Sequence, residues 1–187
     1  MARPARRRAP VLFALLGAAV VIAGCGGAEP VAPPGPFPPR PADIDVSRLD
    51  PCELVTPGQA ESLAVSTGRP AAVPTGTVAS PGCAWSDFDE GFNFTAQTVP
   101  APASESVGAP GTVLVTVGGF GAVQATDLGD STPICQLVAD VADNGSIRVQ
   151  AQSLRHGPDG MPRAFDQVCP RAAAFAEVVM ENATRAG

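Results

Sequence analysis

Four cysteines, Cys52, Cys83, Cys135 and Cys169, stand far apart along this chain, and no other feature restricts its possible folds so strongly. Zinc sites use close pairs such as C-x₂₋₄-C, so cysteines this widely spread, with one histidine in the whole sequence, do not make one. In an oxidising compartment an even set of four reads instead as two disulfides. Four cysteines allow three connectivities. Joining sequence neighbours, Cys52 to Cys83 and Cys135 to Cys169, closes loops of about 31 and about 34 residues, and chain entropy gives each such bridge about 3.7 kcal/mol of stabilisation. That pairing is preferred.

The compartment is read from the start of the chain. Arg3, Arg6, Arg7 and Arg8 precede an apolar run from Val11 to Ala23. A spanning helix needs roughly 20 apolar residues, and this run is well short of that. A short run after a basic start reads as the core of a signal peptide. Val21-Ile22-Ala23-Gly24-Cys25 then reads as a lipobox, cut before Cys25, whose thiol accepts the diacylglyceryl group. The alternative, a secreted chain without lipid, leaves an oxidisable thiol at its amino terminus. Two acyl chains, at about 0.8 kcal/mol per buried methylene, hold a protein on a membrane without spanning it. Residues 1–24 are therefore expected to be a lipoprotein signal peptide. The rest is expected at the extracytoplasmic face of the cell membrane, with the membrane as partner through the lipid on Cys25.

Cleavage leaves Cys25 to Gly187, a length that suits one domain. This part carries 8 basic against 18 acidic groups, a charge of about −10. Nucleic acid is not an expected partner, because binding it relies on Lys and Arg. The chain has 12 Arg and no Lys, with abundant Pro and Gly, which suggests a GC-rich genome and an actinobacterium.

Seven prolines between Pro30 and Pro41 favour an extended polyproline conformation. Residues 25–47 are read as the lipidated cysteine and a tether. At about 3.1 Å per residue the proline-bearing stretch 26–42 would hold the domain roughly 50 Å from the membrane. Residues 48–187 are expected to form a single disulfide-bonded domain. Thr56-Pro57-Gly58-Gln59 is a capping box that opens a short helix ending near Ala64. Residues 66–82, rich in Pro, Gly and Thr, read as a loop, and so do residues 100–111.

Alternation places Cys83 and Trp85 on one face, and a turn at Asp89-Glu90 sets Trp85 opposite Phe94. Thr112–Val117 and Ala122–Asp127 flank the glycine-rich Gly118-Gly119-Phe120-Gly121, which reads as a sheet bend. A hairpin joins Ile134–Ala142 to Ser146–Leu154. A three-residue loop with Gly145 left-handed would pair Val141 with Ile147, Ala139 with Val149 and Leu137 with Ala151, and set Asp140 against Arg148. A final helix from Asp166 to about Thr184 carries the apolar stripe Val168, Ala172, Phe175, Ala176, Val179 and Ala183. Pro170 is placed in its first turn. The expected fold class is α+β: an antiparallel sheet of five to six strands, with a short N-terminal helix and a longer C-terminal helix packed on it.

Several of these pieces occur together in a known pattern. Asp50-Pro51-Cys52-x-Leu54 is followed by the Thr56-Pro57 helix start, then by Cys83-x-Trp85 and Gly118-Gly119-x-x-Ala122. Cys135 opens an alternating strand, and Cys169-x-x-Ala172 opens the last helix. In this order they resemble a four-cysteine family of actinobacterial (mycobacterial-type) lipoproteins catalogued only as a domain of unknown function. The resemblance covers roughly residues 48 to 185. It implies a lipid-anchored envelope domain and brings no activity and no catalytic residues.

The residues themselves offer little chemistry. His156 sits in a turn-like Arg155-His156-Gly157-Pro158-Asp159 without a nucleophile motif around it. Asp87, Asp89 and Glu90 lack the ligand ladder of a calcium loop and read as a solvated turn. Gly118–Gly121 lacks the Lys-Ser/Thr of a phosphate loop. Trp85 reads as core rather than as a ligand platform. No metal, no cofactor and no enzymatic activity are expected. The expected role is a non-catalytic binding or accessory module, with a small hydrophobic ligand held between sheet and helix or an envelope protein as partner. Alternatives are a sensory or assembly partner of another envelope protein, and a hydrolase using His156.

Overall fold

The computed structural model describes residues 35–75, 78–126, 132–154 and 163–187. Its strands are β1 (Arg69–Thr75), β2 (Val78–Asp87), β3 (Phe92–Val99), β4 (Thr112–Val117), β5 (Phe120–Ala125), β6 (Ile134–Ala142) and β7 (Gly145–Ser153). They form one seven-stranded sheet in the order β1-β2-β3-β7-β6-β5-β4, every neighbouring pair antiparallel. The expected five to six strands fall short because residues 66–82 hold β1 and the start of β2 rather than a loop. Pro70, Pro74 and Pro81 do not prevent this. β1 is an edge strand, and β2 meets β3 only from Gly82 onward. A missing N–H is tolerated where a strand has a partner on one side only.

Two helices are described, α1 (Pro57–Ser62) and α2 (Phe165–Ala186). The capping box of α1 forms as read: the Thr56 N–H donates to Gln59 Oε1 at 3.0 Å, and the Gln59 N–H to Thr56 Oγ1 at 3.4 Å. The helix stops at Ser62, and Ala64 turns the chain away at φ 56°. All six stripe residues of α2 are buried, and Met180 joins them. Because α2 starts at Phe165, Pro170 lies in its second turn rather than its first. The Asp166 carbonyl therefore has no N–H four residues on to accept.

The face of the sheet under α2 holds the core. Trp85 stands opposite Phe94 as expected. Phe175 of α2 stacks on Phe94 with ring centroids 4.7 Å apart and tilts against Trp85 at 5.2 Å. Trp85 is 1% exposed, a core residue. Both disulfides join sequence neighbours: Cys52–Cys83 ties the 3₁₀ turn Pro51–Leu54 to β2, and Cys135–Cys169 ties α2 to β6, with Cα atoms 5.0 and 5.1 Å apart. The opposite face is polar towards β3 and β7. Gln150 donates to Gln136 at 2.8 Å, and Arg148 Nε donates to the buried Gln97 at 2.6 Å. Burial lowers the pKa of Arg148 from its ordinary value.

The β6–β7 hairpin differs from the expected register. Its loop is the two residues Asp143-Asn144, with Ala142 opposite Gly145 and a bulge at Val141. Leu137 faces Val149 and Ala139 faces Ile147, two positions from the expected partners. A two-residue shift keeps every side chain on its face, so the apolar pattern survives. Asp140 stands opposite Ser146 instead of Arg148. Gly145 is not left-handed. It is constrained by Val46, whose Cγ2 would lie 2.7 Å from an added Cβ.

The chain before Arg48, where the sequence placed the start of the domain, packs on it. Phe37 and Pro38 lie over Gly121, where an added Cβ would meet each at 2.8 Å. Arg40 pairs with Asp140 at 2.7 Å, Asp143 at 2.8 Å and Asp43 at 3.0 Å. These carboxylates, Asp140 foremost, raise the Arg40 pKa above its ordinary value. The Ile44 N–H donates to the bulged Val141 carbonyl at 2.9 Å, and Ile44 is buried.

Candidate functional site

The turn between β2 and β3 carries the most exposed large apolar side chain among the described residues, Phe88, 68% exposed. A solvent-facing phenylalanine on a turn calls for an explanation where an isolated surface leucine does not. The turn is held from beneath by Asp87, whose side chain is 1% exposed. Its Oδ1 accepts the N–H groups of Asp89 and Glu90 at 3.1 and 2.8 Å, while Oδ2 pairs with Arg171 of α2. The Gly91 N–H closes the turn on the Asp87 carbonyl at 2.9 Å, with Gly91 at φ 73°.

Two further elements arrive at this end. The Leu154 N–H, just past β7, donates to the Gly91 carbonyl at 2.9 Å, and Arg163 Nη2, just before α2, donates to the Glu90 carbonyl at 3.1 Å. Arg163 and Arg171 each lie 5.1 Å from the ring centroid of Phe92, within cation–π range. Leu154 and Phe165 are 53% and 41% exposed. One end of the sheet thus presents three exposed apolar side chains, Phe88, Leu154 and Phe165, on a cross-braced base. The opposite end, at the β6–β7 loop, receives the incoming chain through Arg40 and Asp143.

Asp87, read from the sequence as part of a solvated turn with Asp89 and Glu90, is instead buried, because it is engaged with Arg171 and with two backbone N–H groups. Among the described residues no three His, Cys, Asp or Glu side chains converge as metal ligands. Gly118 and Gly119, at φ 56° and 83°, form the tight turn between β4 and β5, and Phe120 begins β5. Cys25 and His156 lie outside the described residues. Where a hydrophobic ligand was expected between sheet and helix, the space beside Phe94 and Phe175 is a cavity of about 30 Å³ lined also by Leu63, Val65, Arg171 and Ala174, and a cleft of about 510 Å³ opens beside the end of α2 at Gly118, Glu177 and Met180. A drug-sized ligand occupies about 300 Å³ or more. A larger cleft of about 620 Å³ lies under the incoming chain at Arg40, Asp43, Asp140 and Asp143.

Sequence reasoning passed over Phe88. Its signal was present: a bulky apolar residue off the alternation, between the acidic residues of a turn. No helix among the described residues is long and apolar enough to cross a membrane.

Fold and bridges define a disulfide-bonded α+β domain. The chain belongs to the DUF3558 family, described as a protein of unknown function, whose family model matches residues 20–182. Comparison with the curated proteins gave no match, and comparison with the solved structures gave none.

Proposed function

We propose that the chain is a lipid-anchored, non-catalytic module of the cell envelope that binds another protein at the Phe88 end of its sheet. The observation that carries this reading is the braced turn: Phe88 stands in solvent on a scaffold fixed by the buried Asp87 and its pairing with the half-exposed Arg171. A rigid aromatic anchor loses little conformational freedom on binding, which is how a few residues come to dominate an interface. Geometry supports the same orientation. The first described residues pack at the β6–β7 end, through Phe37 on Gly121 and Arg40 on Asp143, so an anchor reached from there would point Phe88 away from the membrane. With the chain packed from Phe37 onward, a tether of residues 25–36 reaches roughly 35 Å at about 3.1 Å per residue, less than the sequence alone suggested.

The test is photo-crosslinking in intact cells. A benzophenone side chain at Phe88 is expected to capture a protein that the same probe at Asp143, on the opposite end, does not. In parallel, wild type is expected to take up an alkyne fatty acid and Cys25→Ser to take up none. Equal capture at both positions rejects the binding end, and equal labelling rejects the anchor.

A further inference from the structure

The two edges of the sheet are built differently. β1 carries Arg69, Pro70 and Pro74; charge and missing donors are two ways in which an edge is kept from pairing. β4 closes the other side with Thr-Val-Leu-Val-Thr-Val. It has no charge and no proline, and its ladder to β5 runs unbroken from Thr112↔Ala125 to Val117↔Phe120. Val113 and Leu114 are 55% and 52% exposed. An edge this regular and apolar is a template for another strand.

The β4–β5 turn fixes which backbone groups point outward. Gly118 at φ 56° and Gly119 at φ 83° form a two-residue type I′ turn. Val117 and Phe120 close it as a hydrogen-bonded pair, and the alternation of an antiparallel ladder makes Val115 and Val113 the next residues bonded to β5. The main-chain groups of Thr112, Leu114 and Thr116 therefore point away from β5. Of these, the Thr112 N–H is taken by the Ala109 carbonyl at 3.2 Å.

Thr112-Val113-Leu114-Val115-Thr116 reads the same in both directions. Antiparallel pairing reverses direction, so this strand laid against a copy of itself sets like against like. We infer that β4 is a self-association edge: two copies of this chain pair antiparallel through β4 about a two-fold axis at Leu114. In that register Leu114 meets Leu114 of the second copy, Val113 meets Val115 and Thr112 meets Thr116. The valines fall together on the α2 face, and the leucines and threonines on the other. All three outward-pointing residues meet outward-pointing partners. A register centred on Val115 also matches outward groups, but it sets Leu114 against Thr116 and leaves Thr112 beyond the strand. The contact is isologous and closes on itself, and the proline-bearing β1 edge gives no second strand for it to propagate through. It goes beyond the Phe88 reading and is independent of the lipid.

The test places a benzophenone side chain at Val113 of the full chain in cells. The expected product is a dimer of this chain whose cross-link joins position 113 to the 112–117 segment of the other copy. Leu114→Pro removes an N–H that β5 does not use, and Leu114→Lys sets two like charges at the axis. Either is expected to lower the dimer product about tenfold or more: Leu114→Pro on the scale of losing a main-chain bond from each copy, Leu114→Lys through like charges set directly opposite. Circular dichroism of the purified variants checks folding; should Leu114→Pro not fold, Leu114→Lys decides. No homodimeric product, cross-links to another segment or another protein, or an undiminished product in a folded variant would overturn the inference.

Discussion

Gly145 gives the sharpest stability test, because its role can be assigned to a single neighbour. A Cβ at this position would lie 2.7 Å from Cγ2, 3.3 Å from Cγ1 and 3.6 Å from Cβ of Val46. Val46 is β-branched with one strongly preferred rotamer, so it cannot swing aside. The 3₁₀ turn Val46–Arg48 would have to lift from the hairpin. Overpacking of this kind costs about 1–3 kcal/mol. At about 2–4 °C per kcal/mol for a domain of this size, Gly145→Ala is expected to lower the melting temperature by roughly 4–8 °C at the middle of that range. Gly145→Val is expected to lose more. Val46→Ala removes the clashing methyls and costs about 1 kcal/mol by itself. In the double variant the losses are expected to fall short of additivity by about 1–2 kcal/mol. Thermal unfolding followed by circular dichroism on the oxidised protein measures all four variants. Additive losses would refute the reasoning and return the constraint to the backbone of Gly145 itself.

Replacing both cysteines of either bridge with serine is expected to cost about 3.7 kcal/mol, read as a fall of roughly 7–15 °C in the same assay. Asp87→Asn removes the charge facing Arg171 but keeps an oxygen for the turn. Because the Arg171 side chain is 39% exposed, the loss is held to about 2 kcal/mol, measured by urea denaturation. Phe175→Ala empties the space against Phe94 and Trp85 and is expected to cost about 3–5 kcal/mol by the same denaturation.

The parts of the fold that were legible in the sequence rest on local periodicity. The Trp85–Phe94 pairing followed from strict alternation around one turn, the buried stripe of α2 from helical spacing, and the start of α1 from a four-residue capping box. What escaped depends on residues far apart. β1 was hidden because Pro70 and Pro74 look like breakers until the strand is known to lie at an edge. The register of β6–β7 was missed because the Val141 bulge is stabilised by Ile44, distant in the chain, whose N–H takes the freed carbonyl. The incoming chain looked like tether for the same reason: its proline content is local, whereas the Arg40–Asp140 pair and the Phe37–Gly121 contact are not. The candidate site was half legible. The acidic turn was noticed but read as solvated, whereas the exposure of Phe88 depends on Asp87 being drawn inward by Arg171 of a helix that lies far along the chain.

Co-isolation from native membranes tests the central claim most directly. Wild type and Phe88→Asp would be solubilised under identical mild conditions and compared for associated protein, after their melting temperatures are shown to agree. An exposed substitution of this kind alters stability by about 0.5 kcal/mol or less. The expected result is a partner retained by wild type and lost from Phe88→Asp, with folding and membrane association unchanged. The same protein retained in equal amount by both would contradict a binding end at Phe88.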